Sequence, residues 1–184
     1  MALFTLIEIL SLLLTVVVIG YIFSGIKRKL EPDLIPKWFD WNDFLYSAAI
    51  ASPGIILHEL AHKFVALAMG ISAHYEVWVP GLVLGVLLKA FGSGFVILAP
   101  GYVVLNAPTA IQQSLTAFAG PAVNLVLWIG ATLALKYSKS MSHNKAIALS
   151  LLKDMNKWLF IFNMIPLPPL DGFKVIQPLL GMIF

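Results

Sequence analysis

Hydrophobic positions in this chain fall in long blocks separated by short polar stretches, a pattern that predicts buried or membrane-embedded helices over most of its length. The first block runs from about Leu3 to Phe23, carries Glu8 as its one charge, and ends at Ser24-Gly25 ahead of Lys27-Arg28-Lys29. A run of about 20 apolar residues is long enough to span a bilayer. It lacks the basic leading region of a signal peptide, so it reads as a retained membrane helix. Glu8, near one end, reads as a carboxylate snorkelling to the interface. The linker from Glu31 to Asp43 holds Pro32, Pro36, Trp38 and Trp41 and suits an interfacial aromatic belt.

A second block, about Phe44 to Met69, ends at Gly70 and contains His58, Glu59, His62 and Lys63. The pattern then changes. His74 to Val79 alternates polar and apolar residues, and the runs Leu82 to Ala90 and Phe95 to Leu105 flank Phe91-Gly92-Ser93-Gly94, which together predict three short strands with a hairpin turn. Thr109 followed by Gln112 forms a capping-box signature that opens a third span through Lys136, with Pro121 expected to kink it. A further helix is expected from about Asn144 to Met164, although Lys153, Asp154 and Lys157 interrupt its apolar character. Three prolines between Asn163 and Gly172 then forbid continuous helix, and the final segment, Phe173 to Phe184, is too short to span alone. The fourth membrane element is therefore expected to be broken at the proline run, with Asp171 at the break.

The fold expected is an all-α polytopic membrane protein with a small membrane-associated β-hairpin and about four transmembrane segments. It forms one domain over residues 1–184: a first span and linker over 1–43, then a catalytic core over 44–184 with a β-rich insert at 72–105. Composition agrees, since 60% of residues are hydrophobic and 11% charged, against about 45–50% and 25% in soluble domains. A multi-pass protein of the cell membrane is expected. The net charge of +3 is scattered along the chain, which suits loops beside anionic lipid and argues against a nucleic-acid partner. Without cysteine, any transition metal would be held by His and carboxylate.

His58-Glu59-Leu60-Ala61-His62 is an HExxH motif on a segment read independently as helix. Residues four apart lie one turn apart on the same face, so both imidazoles can point at one cation such as zinc. Glu59, one position on, is placed to take a proton from a water at the metal and to deliver it to the leaving amine. A catalytic zinc site takes three protein ligands. A metzincin would place the third at position 68, where this chain has Ala68. Asp171, at the proline-broken segment, is the stronger candidate; Glu76, on a predicted strand, would serve a gluzincin-like arrangement. A non-catalytic membrane metal-binding or transport protein could use the same ligands, but would give Glu59 no task. Asn124 and Asn163 are neutral donors that could steady an oxyanion or position substrate backbone; equally, each could bond carbonyls freed by the neighbouring prolines.

These residues resemble the site-2 protease family of intramembrane zinc metalloproteases. The likeness comprises HExxH in a span (His58 to His62), Gly-Pro-x-x-Asn in the next (Gly120, Pro121, Asn124), and Asn-x-x-Pro-x-Pro-x-Leu-Asp-Gly (Asn163 to Gly172). It implies a three-helix catalytic core, zinc held by His58, His62 and Asp171, Glu59 as general base, and cleavage of transmembrane substrates. It also implies that the β-rich stretch pairs with an unfolded substrate segment. Within these 184 residues no PDZ-like or CBS-like module is expected. Positive-inside reasoning puts the loops Lys27 to Lys37 and Lys136 to Lys145 in the cytoplasm; the family resemblance implies the reverse.

Overall fold

A computed structural model describes residues 3–25, 39–92, 100–138 and 140–181. Most of the predicted interfacial linker, and the stretch Phe95 to Ala99 of the last predicted strand, lie outside these residues. The elements in order are α1 (Leu6–Phe23), α2 (Trp41–Ala68), β1 (Ala73–Val77), α3 (Val79–Ala90), β2 (Gly101–Leu105), α4 (Ala110–Tyr137), α5 (His143–Asn163) and α6 (Asp171–Leu180). Among the described residues, α1, α2 and α4 are long and apolar enough to cross a membrane. The 21-residue α5 carries Lys145, Lys153, Asp154 and Lys157 and is not one of them. The proline run separates α5 from α6, as expected.

One predicted strand is a helix. Leu82 to Ala90 belongs to α3, so β1 and β2 alone form the sheet among the described residues. A short uniformly apolar run does not distinguish strand from buried helix. The deciding signals stand toward the ends of the helix: Pro80 in the first turn suits a helix start, and Lys89 falls in the last turn, where a cation is favoured. Trp78 N–H donates to Pro100 O and Asn106 N–H to Ser72 O, which fixes an antiparallel register. The even-numbered residues of β1 thus bond toward β2, and the Tyr75 N–H turns to the opposite rim.

The chain divides into two compact units, one within Met1–Ile56 and Tyr75–Tyr102, the other within Leu57–His74 and Val103–Phe184. In the first, Thr5 and Glu8 close a capping box at the start of α1: Glu8 N–H donates to Thr5 Oγ1 at 3.2 Å, and Thr5 N–H to Glu8 Oε2 at 2.9 Å. Glu8 Oε1 also accepts from the buried Tyr75 N–H at 2.9 Å. Glu8 is therefore buried, 4% exposed, and does not snorkel, because polar atoms of the protein replace the water it would otherwise seek. Thr15 Oγ1 lies 2.9 Å from Tyr75 Oη, a second bond from α1 to the same residue. At the other end of α1, Lys89 Nζ donates to Tyr21 O, to Ser24 O at 2.7 Å and to Ser24 Oγ at 2.5 Å, satisfying carbonyls that a helix terminus leaves unpaired. Gly20 lets α1 approach α2, since a Cβ there would stand 2.8 Å from that of Ala48.

In the second unit α4 packs against α5 and α6. The capping box at its start is present as expected, with Gln112 N–H on Thr109 Oγ1 and Thr109 N–H on Gln112 Oε1. The helix runs on through Pro121. A small apolar cluster of Ala66, Ile71 and Ala73, joined by Met69, Val103 and Leu105, packs the end of α2 against the adjoining strands. Between α5 and α6 the chain turns tightly, with Leu167 N–H on Ile165 O and Leu170 N–H on Leu167 O. Gly172 sits against that turn: a Cβ would meet Met164 O at 2.5 Å and Ile165 O at 2.7 Å. Asp171, the first residue of α6, is thereby held close to the end of α5.

Removing the Glu8 acceptor leaves a buried strand amide without its partner, which costs about 1–3 kcal/mol. Glu8→Leu is expected to lower the thermal unfolding midpoint of the detergent-solubilised chain, and Glu8→Gln, whose carboxamide oxygen still accepts, to lower it less.

Candidate metal centre

The second unit gathers its polar side chains at one place. His58, Glu59 and His62 of α2 are buried, at 6%, 8% and 7% exposure, and so is Asp171 of α6 at 7%. The helical spacing of the two histidines brings their rings to 4.7 Å between centroids, edge to face. His58 Nε2 lies 3.1 Å from His62 Nε2. Asp171 Oδ2 stands 2.9 Å from the first and 3.3 Å from the second. Ligands about 2.0–2.1 Å from a tetrahedral zinc lie roughly 3.3 Å apart, so the three atoms form a face close to that size. His58, His62 and Asp171 are the group of the described residues able to hold a metal ion.

The outward-facing atoms of these ligands are also committed. His62 Nδ1 lies 2.7 Å from Thr116 O of α4, and since a carbonyl can only accept, that nitrogen carries the proton and Nε2 presents its lone pair inward. His58 Nδ1 lies 2.5 Å from Asn124 Oδ1. Asp171 keeps its other oxygen, Oδ1, 3.5 Å from Lys174 Nζ one turn along α6. Electron pairs from a carboxylate and an imidazole thus face a common point, an arrangement that is repulsive unless a cation sits there. Gly120 leaves the space: a Cβ at that position would collide with His62 Nε2 and stand 2.6 Å from His58 Nε2. The donor set, the spacing and this cradle all fit a small divalent ion.

Comparison with known proteins agrees. The chain is 33% identical over 173 residues, 92% of its length, to a protein of Methanocaldococcus jannaschii named "Putative zinc metalloprotease", of which it spans 83%. The chain belongs to this zinc metalloprotease family. Proteins with the same descriptive name in Synechocystis (34% identity, 78% of this chain and 33% of that protein) and in Bacillus subtilis (32% identity, 67% and 64%) are also similar. No protein-family model matches the chain, and no solved structure matches it.

Within this metalloprotease the residues expected from sequence are distributed unevenly. His58, His62 and Asp171 converge, and Glu59 is buried on the same turn of α2. Asn124 is fully buried, with its carboxamide engaged by His58 and by Asn156. Asn163 is the half-buried last residue of α5. Glu76 lies exposed on β1 and accepts from Tyr102 Oη at 3.0 Å, a bond that raises the Tyr102 pKa. Sequence reasoning missed Asn156, Lys174 and the carbonyl of Thr116. Only Lys174 had a legible signal, a cation three residues after Asp171 on a helix.

Gly120→Ala places a methyl group where the inward nitrogens meet, while alanine favours helix. The variant is expected to fold with wild-type helical content by circular dichroism yet retain markedly less metal after purification, as read by atomic emission.

Proposed function

We propose that this metalloprotease is an intramembrane enzyme of the site-2 type, hydrolysing peptide bonds in transmembrane segments of other proteins. The reading rests chiefly on one observation: two members of the buried His58, His62 and Asp171 cluster, the histidines, stand on α2, a helix long and apolar enough to cross a membrane. Intramembrane ionisable groups are costly and mark function by default. The HExxH, Gly-Pro-x-x-Asn and Leu-Asp-Gly motifs occur in the order that family has them.

In this reading His58 and His62 would hold zinc through Nε2 and Asp171 through Oδ2. The chemistry that a bound zinc would supply is a lowered pKa for water, toward about 7, and polarisation of the scissile carbonyl. Glu59 takes a proton from the water as its oxygen attacks the carbonyl carbon, and passes it to the amine nitrogen as the C–N bond breaks. Lys174 holds the remaining Asp171 oxygen and keeps the carboxylate turned toward the imidazoles. Asn163 is assigned to steady the developing oxyanion or the substrate backbone. Asn124, whose carboxamide is engaged elsewhere, acts through His58. A substrate helix must unwind locally before its peptide bond is accessible, so helix-breaking residues near the cleavage point favour turnover. The protein is assigned to the cell membrane as a multi-pass protein.

Glu59→Gln is expected to lower cleavage of a model transmembrane substrate about 10²–10⁴-fold with zinc content unchanged; full turnover by this variant removes the residue from its role. Asp171→Ala is expected to lose zinc whereas Glu76→Ala keeps it, and the opposite pattern transfers the third ligand to Glu76. A chelator should stop cleavage and added zinc restore it.

A further inference from the structure

A chain of side-chain hydrogen bonds leads away from the metal centre and ends on α5. His58 Nδ1 meets Asn124 Oδ1 at 2.5 Å, Asn124 Nδ2 meets Asn156 Oδ1 at 2.8 Å, and Asn156 Nδ2 meets Leu152 O at 2.8 Å. Asn124 and Asn156 are 0% and 1% exposed, so no bulk solvent competes for these groups. Asparagine spans each gap, yet a carboxamide alone does not set the direction of such a chain, because turning it end for end exchanges donor and acceptor.

The direction is set at the far end. Leu152 O is a backbone carbonyl and can only accept, so Asn156 must present its Nδ2 there and its Oδ1 to Asn124. Asn124 must then donate through Nδ2, which leaves Oδ1 facing His58. A carboxamide oxygen can only accept, so His58 Nδ1 carries the proton and its Nε2 holds a bare lone pair. We infer that Asn156 is a positioning residue of the metal centre, which fixes the His58 tautomer through Asn124 and so aims Nε2 at the point shared with His62 and Asp171. His62 obtains the same polarity directly from Thr116 O. Each imidazole is thus referred to a backbone carbonyl, one at first hand and the other through two carboxamides. This inference rests on His58 being a metal ligand, as proposed above.

The physical consequence is specific. With Asn156 replaced by leucine, the Asn124 amide loses the acceptor that orients it away from His58, and the loss of such a supporting hydrogen bond weakens metal binding about 10–100-fold. Replacing Asn124 by aspartate makes both of its oxygens acceptors. The His58 proton then needs no orienting partner, and Asn156 becomes dispensable for the tautomer.

The test uses the full detergent-solubilised chain loaded with cobalt(II), comparing wild type with N156L, N124D and N124D/N156L by metal affinity and by the paramagnetically shifted N–H protons of the ligated imidazoles. Wild type is expected to show two slowly exchanging N–H signals. N156L should weaken cobalt binding about 10-fold or more and shift or lose the His58 signal while that of His62 stays, whereas adding the same change to N124D should cost no further affinity. An equal loss in both backgrounds, or a His58 signal indifferent to N156L, overturns the assignment. Should N156L not fold, wild type still decides: a His58 Nδ1 proton in slow exchange supports the inference and a freely exchanging or absent one overturns it. A wild-type chain that takes up no cobalt sinks the metal-ligand reading, a failure distinct from a loaded chain whose His58 ignores Asn156.

Discussion

A buried polar atom without a partner costs several kcal/mol, and the second unit of this protein is organised by that cost. Each ligand side chain has two ends. The end facing outward is satisfied by a fixed group of the fold: Thr116 O for His62, Asn124 for His58, Lys174 for Asp171. The end facing inward is left to meet its counterparts on the other ligands. The inward triangle is thus left for the three ligands to share, and α2, α4, α5 and α6 all contribute to it or to the bonds that support it.

Close approach of backbone makes the arrangement possible. Gly120 removes the one side-chain atom that would fill the centre, and Gly172 lets the start of α6 lie on the carbonyls of the preceding turn. In the other unit Gly20 plays a similar part between α1 and α2. Small residues at helix contacts are expected where van der Waals packing, rather than expulsion of water, holds helices together. Here two of them also determine where an imidazole and a carboxylate can stand.

Much of this was readable in the sequence because it is local. HExxH converts to geometry through the helical period alone, Thr109 and Gln112 announce a helix start three residues apart, and three prolines can only be a break. What stayed hidden depends on tertiary neighbours. Asn156 sits in Lys153-Asp154-Met155-Asn156-Lys157, a stretch that reads as a polar interruption of a helix, and nothing local tells its buried side from its exposed one. Leu82 to Leu88 is apolar on every side and fits either period. Glu8 looks like a charge near a membrane end until the fold brings to it the Tyr75 amide, 67 positions away.

That last bond makes the two-stranded ribbon lopsided. Strand rims expose unused amides and carbonyls that invite further chains to zip on. On β1 the outer rim is stoppered near its midpoint by a carboxylate belonging to the first helix, with Thr15 latching the same tyrosine. An extended peptide lying along that side would first have to evict Glu8, so lateral growth of the ribbon from β1 is disfavoured by the fold itself.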